Sequence, residues 1–463
     1  MAPPVGPTGT QLERKQWSFA FALVTSLCFT WGFAYGLLSV LNAHFQTVFG
    51  ITKLQSAFLQ LAYFASGAYF VWAPCASVII RRVGYKKGIH VGLGLYSIGA
   101  IFCWPSAKFE SYGGFVGSIF VTGCGLSTLE VAANSYITVL GAPQYAAARL
   151  NFSHGFQAVA TFAGPLIASR WFFTGANATS LGTVQWFVPV AGSGIALHIL
   201  FFLCDLPEII DDPLADEIDD SEVGIIYSPG PLWKQYHCVL GFVALTAYYG
   251  AQVTVASFAV NFLVDQKVGI TQSKASQLLS FCQITFTISR FIGVAILNFI
   301  DPALLLAFYG FCCSLFCLLV SQLPGYRAVG CLFCLFFFES ICYPCIFTLG
   351  TKNLGVQTKR GTGLIVQGVV GGAWYPLAQG ALADKTYTRH SYLVPMSGFI
   401  AVTIYAAGIV VDQAIKGGFT FRIRHDPSAT HAADCCLTKL PGDAKARSND
   451  EKRVSSDELI VVV

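Results

Sequence analysis

Glu130 is an acid where a membrane leaves little room for one. It lies in Gly114–Leu140 (GFVGSIFVTGCGLSTLEVAANSYITVL), which contains no other Asp, Glu, Lys, Arg or His. The run is long enough to cross a bilayer. A charge there costs at least about 2–3 kcal/mol, so such residues face a protein interior and mark a substrate or proton path. Taking a carboxyl out of water disfavours its charged form. A carboxyl whose exposure alternates between two conformations can therefore take up a proton in one and release it in the other. The bland alternative is a protonated Glu hydrogen-bonded to a neighbouring helix.

Residues three and four apart share a helix face. Ser127, Glu130 and Asn134 form one polar stripe, and Trp31, Tyr35, Ser39 and Asn42 form another. Asn151, His154 and Gln157 make a third. Tyr248 with Gln252, Glu339 with Tyr343, and Gln367 with Trp374 repeat the theme later in the chain. Amides, hydroxyls and carboxyls among aromatic rings suit a polyhydroxylated ligand, whose hydroxyls need donors and acceptors and whose C–H faces stack on rings. The competing role for each Ser, Asn or Gln, and for His154, is helix-to-helix packing. Arg290, deep in an apolar run, reads as a structural cation paired with a carbonyl or a carboxylate.

The elements that carry these stripes are membrane spans. Of 463 residues, 54% are hydrophobic and 11% charged, against roughly 25% charged in a soluble domain. The chain reads as an all-α integral membrane protein whose surface meets the lipid bilayer. A net charge of +4 is too small to suggest nucleic acid. Runs of membrane length predict twelve helices near 18–41, 54–80, 89–105, 114–140, 149–173, 183–204, 237–263, 273–299, 303–323, 327–350, 361–383 and 391–412. Residues 1–17 form a polar N-terminal segment without the features of a cleavable signal. An acidic linker, 205–236, separates the six-span halves 18–204 and 237–412. The tail, 413–463, has the composition of a disordered segment.

Lys and Arg favour the cytosolic side, and their distribution predicts cytosolic termini for a multi-pass protein, expected in the plasma membrane. Asn177-Ala178-Thr179 then falls in an outer loop as a glycosylation site. Cys331/Cys334 and Cys342/Cys345 have metal-pair spacing, but in apolar helices Cys acts as a small hydrophobe, so no metal is expected. No cofactor is expected either. No nucleophile–base pair, GxGxxG or P-loop pattern stands out, which argues against an enzyme.

The halves repeat each other. Asn42-x7-Gly50-Ile51-Thr52 recurs as Asn261-x7-Gly269-Ile270-Thr271, and Arg149-x15-Pro165-Leu166 recurs as Arg360-x15-Pro376-Leu377. Parallel six-helix halves with a midplane site between them are the build of the major facilitator superfamily. The loop from Ser77 through Arg81, Arg82, Gly84 and Tyr85 to Lys86 and Lys87 resembles that superfamily's G-x-x-x-D-R-x-G-R-K signature, with Ser77 for the first Gly and Arg81 for the Asp. Arg81, Arg82, Arg149 and Arg360 are the candidate gating residues. A positive-inside anchor explains the loop's basic residues equally well.

Nearly all twelve spans resemble the fucose/glucose-galactose permease family of proton-coupled sugar transporters. The residues that carry the likeness are Trp31-Gly32-Phe33, Leu41-Asn42 with His44-Phe45-Gln46, Gly84–Gly88, Leu129-Glu130 with Ala132-Ala133-Asn134, Arg149-Leu150-Asn151, Tyr248–Gln252 and Phe338–Pro344. The resemblance implies a monomeric permease that alternates between outward- and inward-facing states, with Glu130 central to sugar recognition and proton coupling. The family tends to carry an Asp where this chain has Ser39, which cannot titrate at physiological pH. The expected solute-binding set is Trp31, Tyr35, Ser39, Asn42, Asn134, His154, Gln157, Gln252, Glu339 and Trp374. The expected activity is proton symport of a hexose or related small polar solute. An uncoupled facilitator, an exporter of another metabolite and a transport-dead sensor are the competing readings.

Overall fold

The computed structural model describes residues 12–48, 69–109, 111–171, 187–209, 230–266 and 269–416, together with Gly9 and Phe421. Nearly all of the predicted tail (417–420 and 422–463), the middle of the linker, the Asn177 sequon and the first part of predicted span two lie outside the described residues.

The described residues are predominantly helical. In chain order the helices are α1 (Arg14–Val48), α2 (Trp72–Val83), α3 (Tyr85–Lys108), α4 (Tyr112–Val139), α5 (Ala146–Trp171) and α6 (Phe187–Leu203). There follow α7 (Tyr236–Asp265), α8 (Gln272–Leu297), α9 (Pro302–Gln322), α10 (Tyr326–Glu339), α11 (Cys342–Thr351), α12 (Thr358–Gln367), α13 (Gly371–Lys385) and α14 (Leu393–Ile415). Eight of the described helical segments are long and apolar enough to cross a membrane.

Local chemistry explains several starts. An N-cap side chain accepts one of the N–H groups that the first turn cannot pair internally. Ser111 does so for Gly114 at 3.2 Å, Thr271 for Lys274 at 3.4 Å and Asp301 for Ala303 at 2.8 Å. Pro302 then opens α9, where a missing N–H has no cost. Two predicted spans differ from expectation. Span ten is interrupted between α10 and α11, and span eleven narrows to a short 3-10 turn, Gly368–Val370, between α12 and α13.

The helices pack in two ways that matter for the site. α1 lies along α5, and α4 lies along α3, with both α4 and α5 meeting α1. The α1–α5 approach needs Gly32, because a Cβ there would fall 2.1 Å from the Gln157 carbonyl oxygen. That closeness brings Trp31 and Gln157 to one crevice. Helices distant in sequence also meet: α5 meets α8 and α11, and α12 meets α2 and α4.

Candidate functional site

α1, α4 and α5 line a narrow crevice, partly open to solvent, whose enclosed free space is about that of one water molecule. Its walls are Leu27, Cys28 and Trp31 from α1, Leu129, Glu130, Ala133 and Asn134 from α4, and His154 and Gln157 from α5. Five of the expected site residues therefore share one space: Trp31, Glu130, Asn134, His154 and Gln157.

A directed chain of hydrogen bonds ends on Glu130. His154 Nε2 lies 3.2 Å from Asn134 Oδ1, and Asn134 Nδ2 donates to the Tyr343 hydroxyl at 3.1 Å. Tyr343 in turn donates to Glu130 Oε1. With His154 as the first donor, every bond points toward the carboxyl, an arrangement in which neighbouring bonds strengthen one another. The His154 and Tyr343 rings lie 4.9 Å apart at 32°. Glu130 Oε2 is buried without a hydrogen bond, with Tyr69 close enough to interact with the carboxyl. Trp31 Nε1 donates to the Tyr69 hydroxyl at 2.7 Å. Tyr343 is the second residue of α11, so the carboxyl of α4 is held by a residue 213 positions away.

The other expected residues fall elsewhere. Glu339 is 1% exposed at the end of α10, its Oε2 unpaired, within electrostatic range of Arg290. Gln252 is half-buried on α7, one turn beyond Tyr248. Trp374 is 51% exposed on α13 with its ring against Tyr375 and does not line the crevice. Tyr35, Ser39 and Asn42 belong to α1, but their side chains lie outside the described residues.

Two residues outside the expected solute-binding set gain weight. Tyr343 is visible in the sequence only as the neighbour of Glu339. Arg290 is buried, stacked 4.7 Å from the Phe286 ring centroid, with Nε and Nη1 unpaired. It lies within electrostatic range of Tyr248, Glu339 and Tyr343, and of His154. The signal available in the sequence was its position in an apolar run, the same signal that singles out Glu130.

The candidate gating residues divide. Arg81, Arg82 and Arg360 are exposed. Arg149 is buried, and its guanidinium donates to the carbonyls of Ile137 at 3.2 Å, Thr138 at 3.0 Å, Gly141 at 3.4 Å and Ala142 at 2.7 Å. The last carbonyls of a helix have no partner within it, and a cation suits that end of the helix dipole. Arg149 thus closes the C-terminus of the helix that carries Glu130. Arg149→Ala leaves those carbonyls buried and unpaired, at a cost of about 1–3 kcal/mol each if none finds water. The expected net loss is on the order of 2–3 kcal/mol, read as a lower thermal unfolding midpoint, with Arg149→Lys recovering only part. An unchanged midpoint in Arg149→Ala would contradict the clamp.

At the same end, Glu208 accepts from the backbone N–H of Tyr85 at 2.9 Å and of Lys86 at 3.0 Å, capping α3. Lys359, just inside α12, places its ammonium 4.3 Å from the Tyr85 ring centroid. Gln367 Nε2 donates to the Phe70 carbonyl at 2.7 Å. α12 is thereby fastened to the α2–α3 region by a cation–π contact and a hydrogen bond.

Comparison with known proteins places this geometry. Residues 20–379 match the Major Facilitator Superfamily. The chain is similar to a glucose/galactose transporter of Brucella abortus biovar 1 (strain 9-941), 32% identical over 410 residues, covering 87% of this chain and 97% of the relative. It is also similar to an L-fucose-proton symporter of Escherichia coli (strain K12), 27% identical over 415 residues, covering 85% of this chain and 94% of the relative. Among solved structures, FucP in the outward conformation superposes with a TM-score of 0.75 at 27% identity, covering 85% of this chain and 99% of that one.

Proposed function

The chain belongs to the Major Facilitator Superfamily, and from that membership we propose that it carries a hexose or related sugar by proton symport, with Glu130 as the coupling carboxyl. The observation that carries this reading is the crevice. A carboxyl in an otherwise uncharged helix is set among Trp31, Asn134, His154 and Gln157, and it is held by Tyr343 from a distant helix. An aromatic face beside amide, imidazole and carboxyl groups offers a sugar both a stacking surface and donors and acceptors for its hydroxyls. The relatives named for glucose, galactose and fucose transport support that solute class.

In this reading twelve helices form two six-helix halves that rock about the crevice, as in other transporters of this build. The contacts of α12 with α2 and α4 close the predicted cytosolic end, so the conformation suits an outward-facing or occluded state. Trp31, Asn134, His154 and Gln157 bind the solute, with Gln252 and Glu339 contributing from the second half. Arg81, Arg82 and Arg360 steady the cytosolic gate.

One residue favours a second reading. Ser39 stands where the resembling family tends to carry Asp, and a single carboxyl within the apolar spans of this half leaves room for uncoupled facilitation. Purified protein in liposomes separates the two. Under an acid-outside gradient, symport predicts that D-glucose, D-galactose or L-fucose accumulates above its outside concentration and that the lumen acidifies as solute enters. Equilibration without proton movement would establish the facilitator. Flux no greater than in empty vesicles for the whole panel would remove both.

A further inference from the structure

Span ten breaks between Glu339 and Cys342, where the Phe337 carbonyl accepts only a long 3.5 Å bond from the Ser340 N–H, and hydroxyls from two other helices bond the carbonyls of Phe337 and Glu339. Ser289 Oγ on α8 donates to the Phe337 carbonyl at 2.7 Å and accepts from Ser340 Oγ at 2.8 Å. Tyr248 on α7 donates to the Glu339 carbonyl at 2.9 Å. Tyr248, Ser289 and Ser340 are each fully buried. A carbonyl freed inside a membrane costs several kcal/mol unless a neighbour supplies a donor, so these hydroxyls stabilise the interruption in its present place.

That place matters because Tyr343 follows directly. Its hydroxyl is the donor to Glu130, and its ring lies against His154. The other side of the interruption is also tied to the crevice helices. Asn151 Nδ2, on α5 one turn before His154, donates to the Arg290 carbonyl at 2.7 Å, next to Ser289. Ser289 therefore lies between the α5–α8 contact at Arg290 and the end of α10, one turn before Tyr343.

We infer that Ser289 and Tyr248 are positioning residues for the Glu130–Tyr343 contact, setting through the interruption of span ten where the Tyr343 hydroxyl lies. The inference takes its flux test from the proposed transport activity, and an exchange measurement that needs no solute keeps the two separable.

Counterflow of D-galactose in proteoliposomes reads turnover and half-saturation separately. Ser289→Ala is expected to lower turnover per folded molecule by roughly fivefold or more, the loss of both buried hydrogen bonds of its hydroxyl, with half-saturation little changed. Ser289→Thr, which keeps the hydroxyl, is expected to restore most of the rate. Wild-type turnover in Ser289→Ala, or a Thr variant no better than Ala, overturns the assignment. If Ser289→Ala does not fold, Tyr248→Phe removes the other hydroxyl in the same assay and is read in the same way. If the wild type moves no sugar offered, hydrogen–deuterium exchange decides. Faster exchange in both 338–345 and 126–134 of Ser289→Ala supports the coupling, whereas a change confined to 338–345, or none, refutes it.

Discussion

Replacing Glu130 with glutamine is expected to abolish uphill solute accumulation while leaving downhill exchange in place. Gln is close in shape to Glu, and its amide oxygen can still accept from the Tyr343 hydroxyl that now meets Glu130 Oε1. The hydrogen bonds from His154 through Asn134 to Tyr343 then have the same end point. The variant loses only the ability to bind and release a proton. A one-unit pH gradient stores about 1.4 kcal/mol per proton, which supports roughly tenfold accumulation at one proton per solute. In wild-type proteoliposomes with acid outside, that ratio is the expected plateau. In Glu130→Gln the plateau should fall to equality of the two sides and cease to vary with the imposed gradient. Counterflow, which needs no net proton movement, should persist. Accumulation at the wild-type level in this variant would remove Glu130 from the coupling step.

The contrast with Asn134→Ala sharpens this expectation. That substitution breaks both the Asn134–Tyr343 bond and the Asn134–His154 contact, yet leaves the carboxyl itself in place. Its effect should appear mainly as weaker solute binding, with the gradient dependence of accumulation preserved. A coupling residue and a binding residue on the same helix face are thereby told apart by which kinetic quantity moves.

How much of this was legible in the sequence depends on the kind of contact. Hydrophobic run length locates most of the helices, because lipid tolerates little backbone that is not helical, and the observed starts at Tyr112 and Gln272 lie within two residues of the runs that predict them. The polar stripes put Glu130 with Asn134, and His154 with Gln157, on single helix faces, and in the structure those faces line one crevice with Trp31. The stripe spacing is silent on which helices face each other, so it does not show that Tyr343 reaches Glu130. The break in span ten is hidden for the same reason. Phe336, Phe337 and Phe338 continue an apolar helix by any periodicity, and the partners that permit the interruption, Ser289 and Tyr248, lie about 50 and 90 residues earlier. Trp374 shows the converse: it shares a helical face with Gln367 on paper, but the short turn at Gly368–Val370 separates them into different helices.

Gly363→Leu is expected to cost most of the net transport without unfolding the protein. α12 meets α2 at this glycine, where a Cβ would fall 2.5 Å from Ser77 Cβ and 3.0 Å from the Ala73 carbonyl oxygen. One helix must move away, since neither neighbour is the far end of a flexible side chain. Overpacking of this kind costs about 1–3 kcal/mol. The penalty applies chiefly to the conformation in which α2 and α12 touch, so it shifts the conformational equilibrium against that state by roughly five- to 150-fold. A transporter that alternates between two faces needs that state once per cycle, and initial uptake should fall by a comparable factor at an almost unchanged thermal unfolding midpoint. Gly363→Ala should show a milder loss, and pairing it with Ser77→Gly, which removes the opposing Cβ, should recover much of the rate. Wild-type uptake in Gly363→Leu would mean that the α2–α12 contact is not part of the transport cycle. Failure of Ser77→Gly to relieve Gly363→Ala would mean that the glycine serves something other than this approach.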